Sequence, residues 1–133
     1  MKRKLGLAVA LFPFTLVLAL AGWKCSTPLH EQADILISTW SGAVKEEQAK
    51  HLTECVPQPN TPVCKAINVA GASLNILITA TDTYCSGPTP AGQKAWKEGG
   101  PCVPVANASQ ALQAAIGNFN QALNDAKALG VLK

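Results

Sequence analysis

The sequence contains few charged, aromatic and histidine side chains. Charged residues make up 14% of the 133 residues and aromatic residues 5%, and the two histidines are His30 and His51. Nucleophilic catalysis would need an activated Ser or Cys beside a His base, but both histidines fall far apart on one predicted helix. No Gly-rich phosphate loop and no Cys-x-x-Cys motif occurs. The sequence therefore indicates neither catalysis nor a cofactor.

The excess of positive charge is confined to the start of the chain. Lys2-Arg3-Lys4 precedes an almost wholly apolar stretch at residues 5–20, and Ala19-Leu20-Ala21 supplies the small residues that a signal peptidase accepts. We expect residues 1–21 to be a signal peptide and residues 22–133 to form one helical domain. Cleavage would leave 11 − 3 = 8 basic and 8 acidic residues, so a nucleic acid is not expected as a partner.

The alternative is that the N-terminal segment is retained as a membrane anchor. Residues 5–23 are barely enough to span a bilayer, and Trp23-Lys24 would suit a membrane interface. Trp23 and Lys24 also separate Cys25 from the residues that precede a lipidated cysteine, so lipidation is not favoured. Each interpretation places the domain outside the cytosol, secreted or periplasmic, and the membrane is a partner only if the segment is retained.

Five cysteines in a small exported chain predict a disulfide framework. Cys55 and Cys64 flank the turn between the first two predicted helices, and Cys85 and Cys102 flank the connector between the second and third. The pairings Cys55–Cys64 and Cys85–Cys102 therefore need no distortion of the fold. Cys25 is left over, and we expect it to be a free or intermolecular thiol.

Apolar side chains at helical spacing predict three helices. The first starts near Pro28 or Leu29, with Ser26 or Thr27 as a candidate cap, and ends near Glu54 or Cys55. Its apolar stripe extends to Leu52. With short connections, three helices give an all-α fold, an up-down-up three-helix bundle stapled by two disulfides after an N-terminal signal or anchor helix.

The second and third predicted helices differ in how much of their surface is apolar. The second begins after Asn60 or Thr61 with Pro62 in its first turn, and it is apolar over most of its circumference, so we expect burial on several sides. Its Gly71 predicts the close approach of another backbone. The third runs from about Pro104 to Leu129 and ends at Gly130.

The polar side of the third predicted helix carries amides and no charge. No charged residue occurs in residues 105–124, which is compatible with contact to another subunit or a wall polymer. The simpler interpretation is a solvated surface made of amides. The candidate binding residues here are Asn107, Gln110, Gln113, Asn118 and Gln121.

The connector at residues 86–104 is rich in Gly and Pro, and we expect at most one or two helical turns in it, around residues 91–97. Its Trp96 is expected to pack against the helical bundle. The alternative is an exposed anchor for a ligand, which makes Trp96 a further binding candidate.

One group of residues resembles a set of metal ligands. Glu47, His51 and Cys55 recur at four-residue intervals, with Cys64 across the turn, and these residue types can ligate zinc. Because the cysteines are expected to form disulfides, no metal site is predicted, and His51 with Glu47 is only a weak candidate. His30 and Asp34 are expected to be a surface pair.

The function that these patterns favour is that of a small exported helical protein acting by binding or assembly, without catalysis. The expected interaction is with a protein partner or with another copy of the chain. The alternatives are a membrane-anchored protein with an uncleaved N-terminal helix and a small metal-binding or hydrolytic protein.

Overall fold

The computed structural model describes residues 27–133, and this part of the chain is mostly helical with no strand. Its three long helices are α1 (Leu29–Lys50), α2 (Pro62–Tyr84) and α3 (Ser109–Ala128). One helical turn, Leu52–Cys55, follows α1, and 3₁₀ turns lie at Trp96–Glu98 and Ala106–Ala108. The expected signal or anchor segment and Cys25 lie outside the described residues.

The ends of α2 and α3 follow the expected local chemistry. The Thr61 hydroxyl oxygen accepts a hydrogen bond of 3.2 Å from the backbone N–H of Cys64, and Pro62 occupies the first turn, where a missing N–H leaves no bond unmade. Beyond α3, Gly130 adopts a φ of 71°, which a residue with a Cβ rarely adopts. This conformation lets the N–H of Val131 reach back to the carbonyl of Ala126 at 3.0 Å.

Two expectations for the first helix are wrong. Pro28 precedes the helix and offers no side-chain cap, so Thr27 does not cap it; Ser26 lies outside the described residues. The helix also breaks at His51, and the separate turn Leu52–Cys55 follows. The break takes Leu52 out of the register of the apolar stripe, and its side chain is 60% exposed.

The third helix begins later than the sequence predicts. A 3₁₀ turn at Ala106–Ala108 precedes it, and regular helix starts at Ser109. In the connector, the 3₁₀ turn Trp96–Glu98 is shorter than the expected turns around residues 91–97.

The core lies between the three helices. α2 packs against both α1 and α3, as in a helical bundle. Leu74 and Leu77 of α2 meet Leu112 and Phe119 of α3 in one buried cluster, which also contains Val44 of α1. Burial of each large side chain contributes about 1.5 to 3 kcal/mol of transfer free energy, so these residues hold the helices together.

Gly71 lies where α2 passes α1, but its close neighbour is a side chain. A Cβ at Gly71 would overlap the end of the Gln48 side chain. The sequence predicted the close approach of a backbone, and that expectation is wrong, because the gap between the two helices is filled by the amide of Gln48.

Two disulfides lie at opposite ends of α2. Cys55–Cys64 closes the turn after α1, and Cys85–Cys102 closes the connector. In the chain-entropy model, loops of 9 and 17 residues contribute about 2.6 and about 3.1 kcal/mol. The bonds indicate an oxidising, extracytoplasmic environment.

Candidate functional site

An uncharged surface runs along α2 and α3, and we call it the α2–α3 face. No charged residue occurs in residues 66–81 or in residues 105–124. The residues that define the face are Val69, Ala72, Ile76 and Ala80 of α2, Ala111, Asn118 and Ala122 of α3, and Leu129 directly after α3.

The α2–α3 face exposes large apolar side chains. Val69 is 52% exposed, Ile76 is 57% exposed and Leu129 is 46% exposed. Val69 and Ile76 lie two helical turns apart on the same side of α2, with Ala72 between them. Exposed apolar side chains are ordinary when single, but here Val69 and Ile76 are neighbours on one side of α2. The charged residues Lys65 and Asp125 line the face only at its Leu129 end.

The face contains two shallow grooves between α2 and α3. One has a volume of about 300 Å³, and its lining includes Val69, Ala122 and Leu129 as well as the charged residues Lys65 and Asp125. The other has a volume of about 350 Å³ and is lined by Ile76, Ala80 and Ala111, together with Asn75 and Thr79. The small side chains of the alanines leave this space, and each groove has one large apolar residue of α2 at its edge.

The predicted amide residues are exposed, but they do not converge on one site. By helical spacing, Asn118 lies on the same side of α3 as Ala111 and Ala122 and joins the α2–α3 face. Gln113 lies on the side of α3 that turns toward α1, and Gln110 and Gln121 point away from both neighbouring helices. Asn107 belongs to the 3₁₀ turn before α3.

Trp96 is half-buried against the bundle, at the end where α1 begins. Its indole Nε1 donates a hydrogen bond of 3.1 Å to Oδ1 of Asp82 on α2. The His30 ring of α1 meets the indole edge-to-face, with 6.4 Å between the ring centroids and 81° between the planes. These contacts tie the connector to both helices.

Asp34 lies near the Trp96 contacts, and its environment disfavours charge. Burial raises the pKa of Asp34; His30 lowers it, and the carboxylates of Asp82 and Glu31 raise it further. His30 and Asp34 are both partly exposed, and they are close enough for His30 to lower the pKa of Asp34. No salt bridge joins them within residues 27–133, and Nδ1 of His30 is buried without a hydrogen-bond partner.

The residues of the zinc-like pattern are only partly brought together. His51 Nε2 lies 3.6 Å from a carboxylate oxygen of Glu47, and His51 Nδ1 lies 3.1 Å from one of Glu54. Cys55 and Cys64 are bonded to each other, so their sulfurs cannot act as thiolate ligands. In the part of the chain that the structure describes, no group of three or more His, Cys, Asp or Glu suits a metal ion.

The exposed side of α2 was not predicted from the sequence. The sequence predicts that this helix is buried on several sides, and α1 and α3 cover two of them, but the side with Val69 and Ile76 is exposed. In a bundle of three helices, each helix has two neighbours, so a third side stays uncovered. A helix that is apolar all round must then expose part of its apolar surface. The apolar circumference of α2, combined with the expectation of only three helices, is therefore the sequence signal for the face.

The same property gives α2 the character of a membrane segment by length and composition. Among the described residues, Pro62–Tyr84 is the helix that meets this criterion, and 39% of its most apolar window is buried inside the fold. Core helices of other folds meet the criterion as well, so it is weak evidence for a membrane contact.

Comparison with known proteins identifies no relative. The chain matches no protein-family model, and neither a curated protein nor a solved structure is significantly similar to it.

Proposed function

We propose that this chain is an exported helical domain that acts by binding or assembly through the α2–α3 face and has no catalytic role. In this proposal the three helices run up-down-up. The observation that carries it is the exposed apolar surface formed by Val69 and Ile76 in the charge-free middle of α2, with Leu129 at one end of the face. A contiguous exposed apolar surface is typical of a protein contact site.

The distribution of charge supports this choice of surface. Most of the acidic and basic residues lie on α1 and its following turn, as in the contacts of Lys50 with Glu46 and Glu47, and on the connector. The charged residues of α2 and α3 lie near the helix ends, at Lys65 and Asp82 of α2 and at Asp125 and Lys127 of α3. Charge is depleted at the centre of protein interfaces. The side of the domain with few charges is therefore the side that a partner can dehydrate at the lowest free-energy cost.

If the α2–α3 face is a binding surface, a partner should cover it in the source culture and should be absent after purification at high dilution. We would label the protein with hydroxyl radicals in its source culture and, separately, after purification at high dilution. Labelling of Val69 and Ile76 should fall at least several-fold in the culture. Ile35 is the matched control, because it is a 60% exposed apolar residue on α1 and should be labelled equally in both samples.

Equal labelling of Val69 and Ile76 in both samples would contradict the proposed function. Export has its own test, the intact mass of the protein from the culture. A mature chain without residues 1–21 is expected, and a chain that keeps them would instead favour the membrane-anchored alternative.

A further inference from the structure

We infer that the occupant of the α2–α3 face is a second copy of this chain, related by a two-fold axis that crosses α2 near Ala72 and makes the two α2 helices antiparallel. This inference rests on the proposed function and names the partner. Three features of the face support it: the spacing of its apolar residues and grooves, its charge distribution and its size.

The face is complementary to itself in the antiparallel arrangement. Val69 and Ile76 lie seven residues apart, about 10.5 Å along the helix, and Ala72 lies between them. An axis near Ala72 places Val69 of each copy opposite Ile76 of the other. Each of these side chains then enters a groove of the other copy, because one groove lies beside Val69 and the other beside Ile76.

The charges of the face favour the antiparallel over the parallel arrangement. Lys65 and Asp125 border the same groove, at one end of the face. The opposite groove is lined by Thr79 and Ala111 and has no charged residue. An antiparallel two-fold places the Lys65 end of one copy against the uncharged end of the other, so no like charges meet, whereas a parallel two-fold would bring Lys65 near its own equivalent.

The size of the face suits a reversible dimer. From Ala111 to Leu129 the face is about 27 Å long, and two helices packed side by side present a strip about 20 Å wide. The face therefore offers about 500 Å² per copy, less than the about 800 Å² per partner of a standard interface and in the range of weak, transient contacts. Small alanines at the centre also let the two α2 helices approach closely.

The experiment is sedimentation equilibrium of the oxidised chain, carried out in a Cys25→Ser background so that an intermolecular disulfide cannot link two copies. We expect a reversible monomer–dimer equilibrium at micromolar protein. Ile76→Glu should weaken dimerisation at least about 100-fold, because the two-fold buries the introduced carboxylate twice and each copy is expected to cost about tenfold. Ile35→Glu on α1 is the matched control and should leave the equilibrium unchanged.

The antiparallel arrangement has a test of its own. Val69→Lys alone should weaken the dimer as Ile76→Glu does. The double variant Val69→Lys/Ile76→Glu should recover much of the affinity, because each introduced ammonium then faces an introduced carboxylate of the other copy. In a parallel dimer the double variant would bring like charges together and would be weaker than either single variant, which would overturn the arrangement.

Other outcomes separate this inference from the proposed function. A chain that stays monomeric at millimolar concentration, or a dimer that Ile76→Glu does not weaken, overturns the inference. If Val69 and Ile76 are nevertheless protected from labelling in the culture, the proposed function stands with a different partner. If they are labelled equally in culture and after purification, both fail.

Discussion

The two disulfides should differ in how fast an external thiol reduces them, because they lie at opposite ends of one helix dipole. Cys64 lies in the first turn of α2, and Cys85 caps its last turn. The N-terminus of a helix favours negative charge and the C-terminus disfavours it. A thiolate is therefore more stable at Cys64 than at Cys85.

The exposure of the four sulfurs determines which cysteine of each disulfide leaves as a thiolate, and so relates the helix dipole to the rate of reduction. Cys64 is 3% exposed and Cys85 is 2% exposed, whereas their partners Cys55 and Cys102 are half-buried. An attacking thiolate reaches the more exposed sulfur, forms a mixed disulfide with it and expels the buried cysteine as a thiolate. The leaving group is thus Cys64 in one bond and Cys85 in the other, and a leaving thiol of lower pKa departs faster.

The size of the effect follows from the helix ends. Each end contributes about 0.3 to 1 kcal/mol with opposite sign, so the two thiolates differ by about 0.6 to 2 kcal/mol, or about 3- to 30-fold in equilibrium. About half of that free energy appears in the rate of exchange. We therefore expect Cys55–Cys64 to be reduced about two- to fivefold faster than Cys85–Cys102.

The assay is a time course of reduction by dithiothreitol under native conditions, quenched with an alkylating agent and read by peptide mass mapping. Raising the salt concentration is the control, because salt screens charge effects at helix ends and should bring the two rates together. Equal rates at low salt, or faster reduction of Cys85–Cys102, would refute the reasoning. A difference that salt does not change would show that access, and not the helix dipole, sets the order.

Four further substitutions test the packing and the charge of the fold. Gly117→Ala should stabilise it by about 1 kcal/mol, since a Cβ there meets no atom within 4 Å, whereas Gly87→Ala should destabilise it, since its Cβ would lie 2.5 Å from the backbone oxygen of Val103; thermal unfolding that ranks the two the other way would contradict this. Phe119→Ala should cost about 3 to 5 kcal/mol in urea unfolding, because Phe119 is fully buried, and a loss below 1 kcal/mol would place it outside the core. Burial raises the pKa of Asp34, so the favourable contribution of this group is present below its ordinary pKa and is lost as the pH rises through the raised value. Asp34→Asn should therefore stabilise the fold at neutral pH, by less than about 1 kcal/mol because solvent screens a partly exposed group, and should have no effect near pH 3; an equal effect at both pH values would contradict the assigned cause.

Local chemistry made much of the fold predictable from the sequence. Thr61 followed by Pro62 marks the start of α2, and Gly130 marks the end of α3, because each provides a conformation or hydrogen bond that a helix end needs. Apolar side chains at helical spacing predicted α3, and Leu112 and Phe119 lie on its buried side. The cysteine positions were sufficient for the pairing, since each pair flanks one connection.

The features that the sequence alone could not supply depend on which neighbours each helix has. Periodicity reports which sides of a helix are apolar, but it does not report which of them another helix covers. For this reason the apolar pattern of α2 does not distinguish Val69 and Ile76 from buried residues, although the third side of α2 is exposed to solvent. In the same way, the hydrogen bond from Trp96 to Asp82 and the filling of the Gly71 gap by Gln48 join residues that are far apart in the chain. The sequence by itself determined the three helices and the pairing of the four cysteines in the two disulfides. The tertiary structure decided which apolar side of α2 faces solvent, because the packing of three helices covers two sides of α2 and leaves the third side exposed.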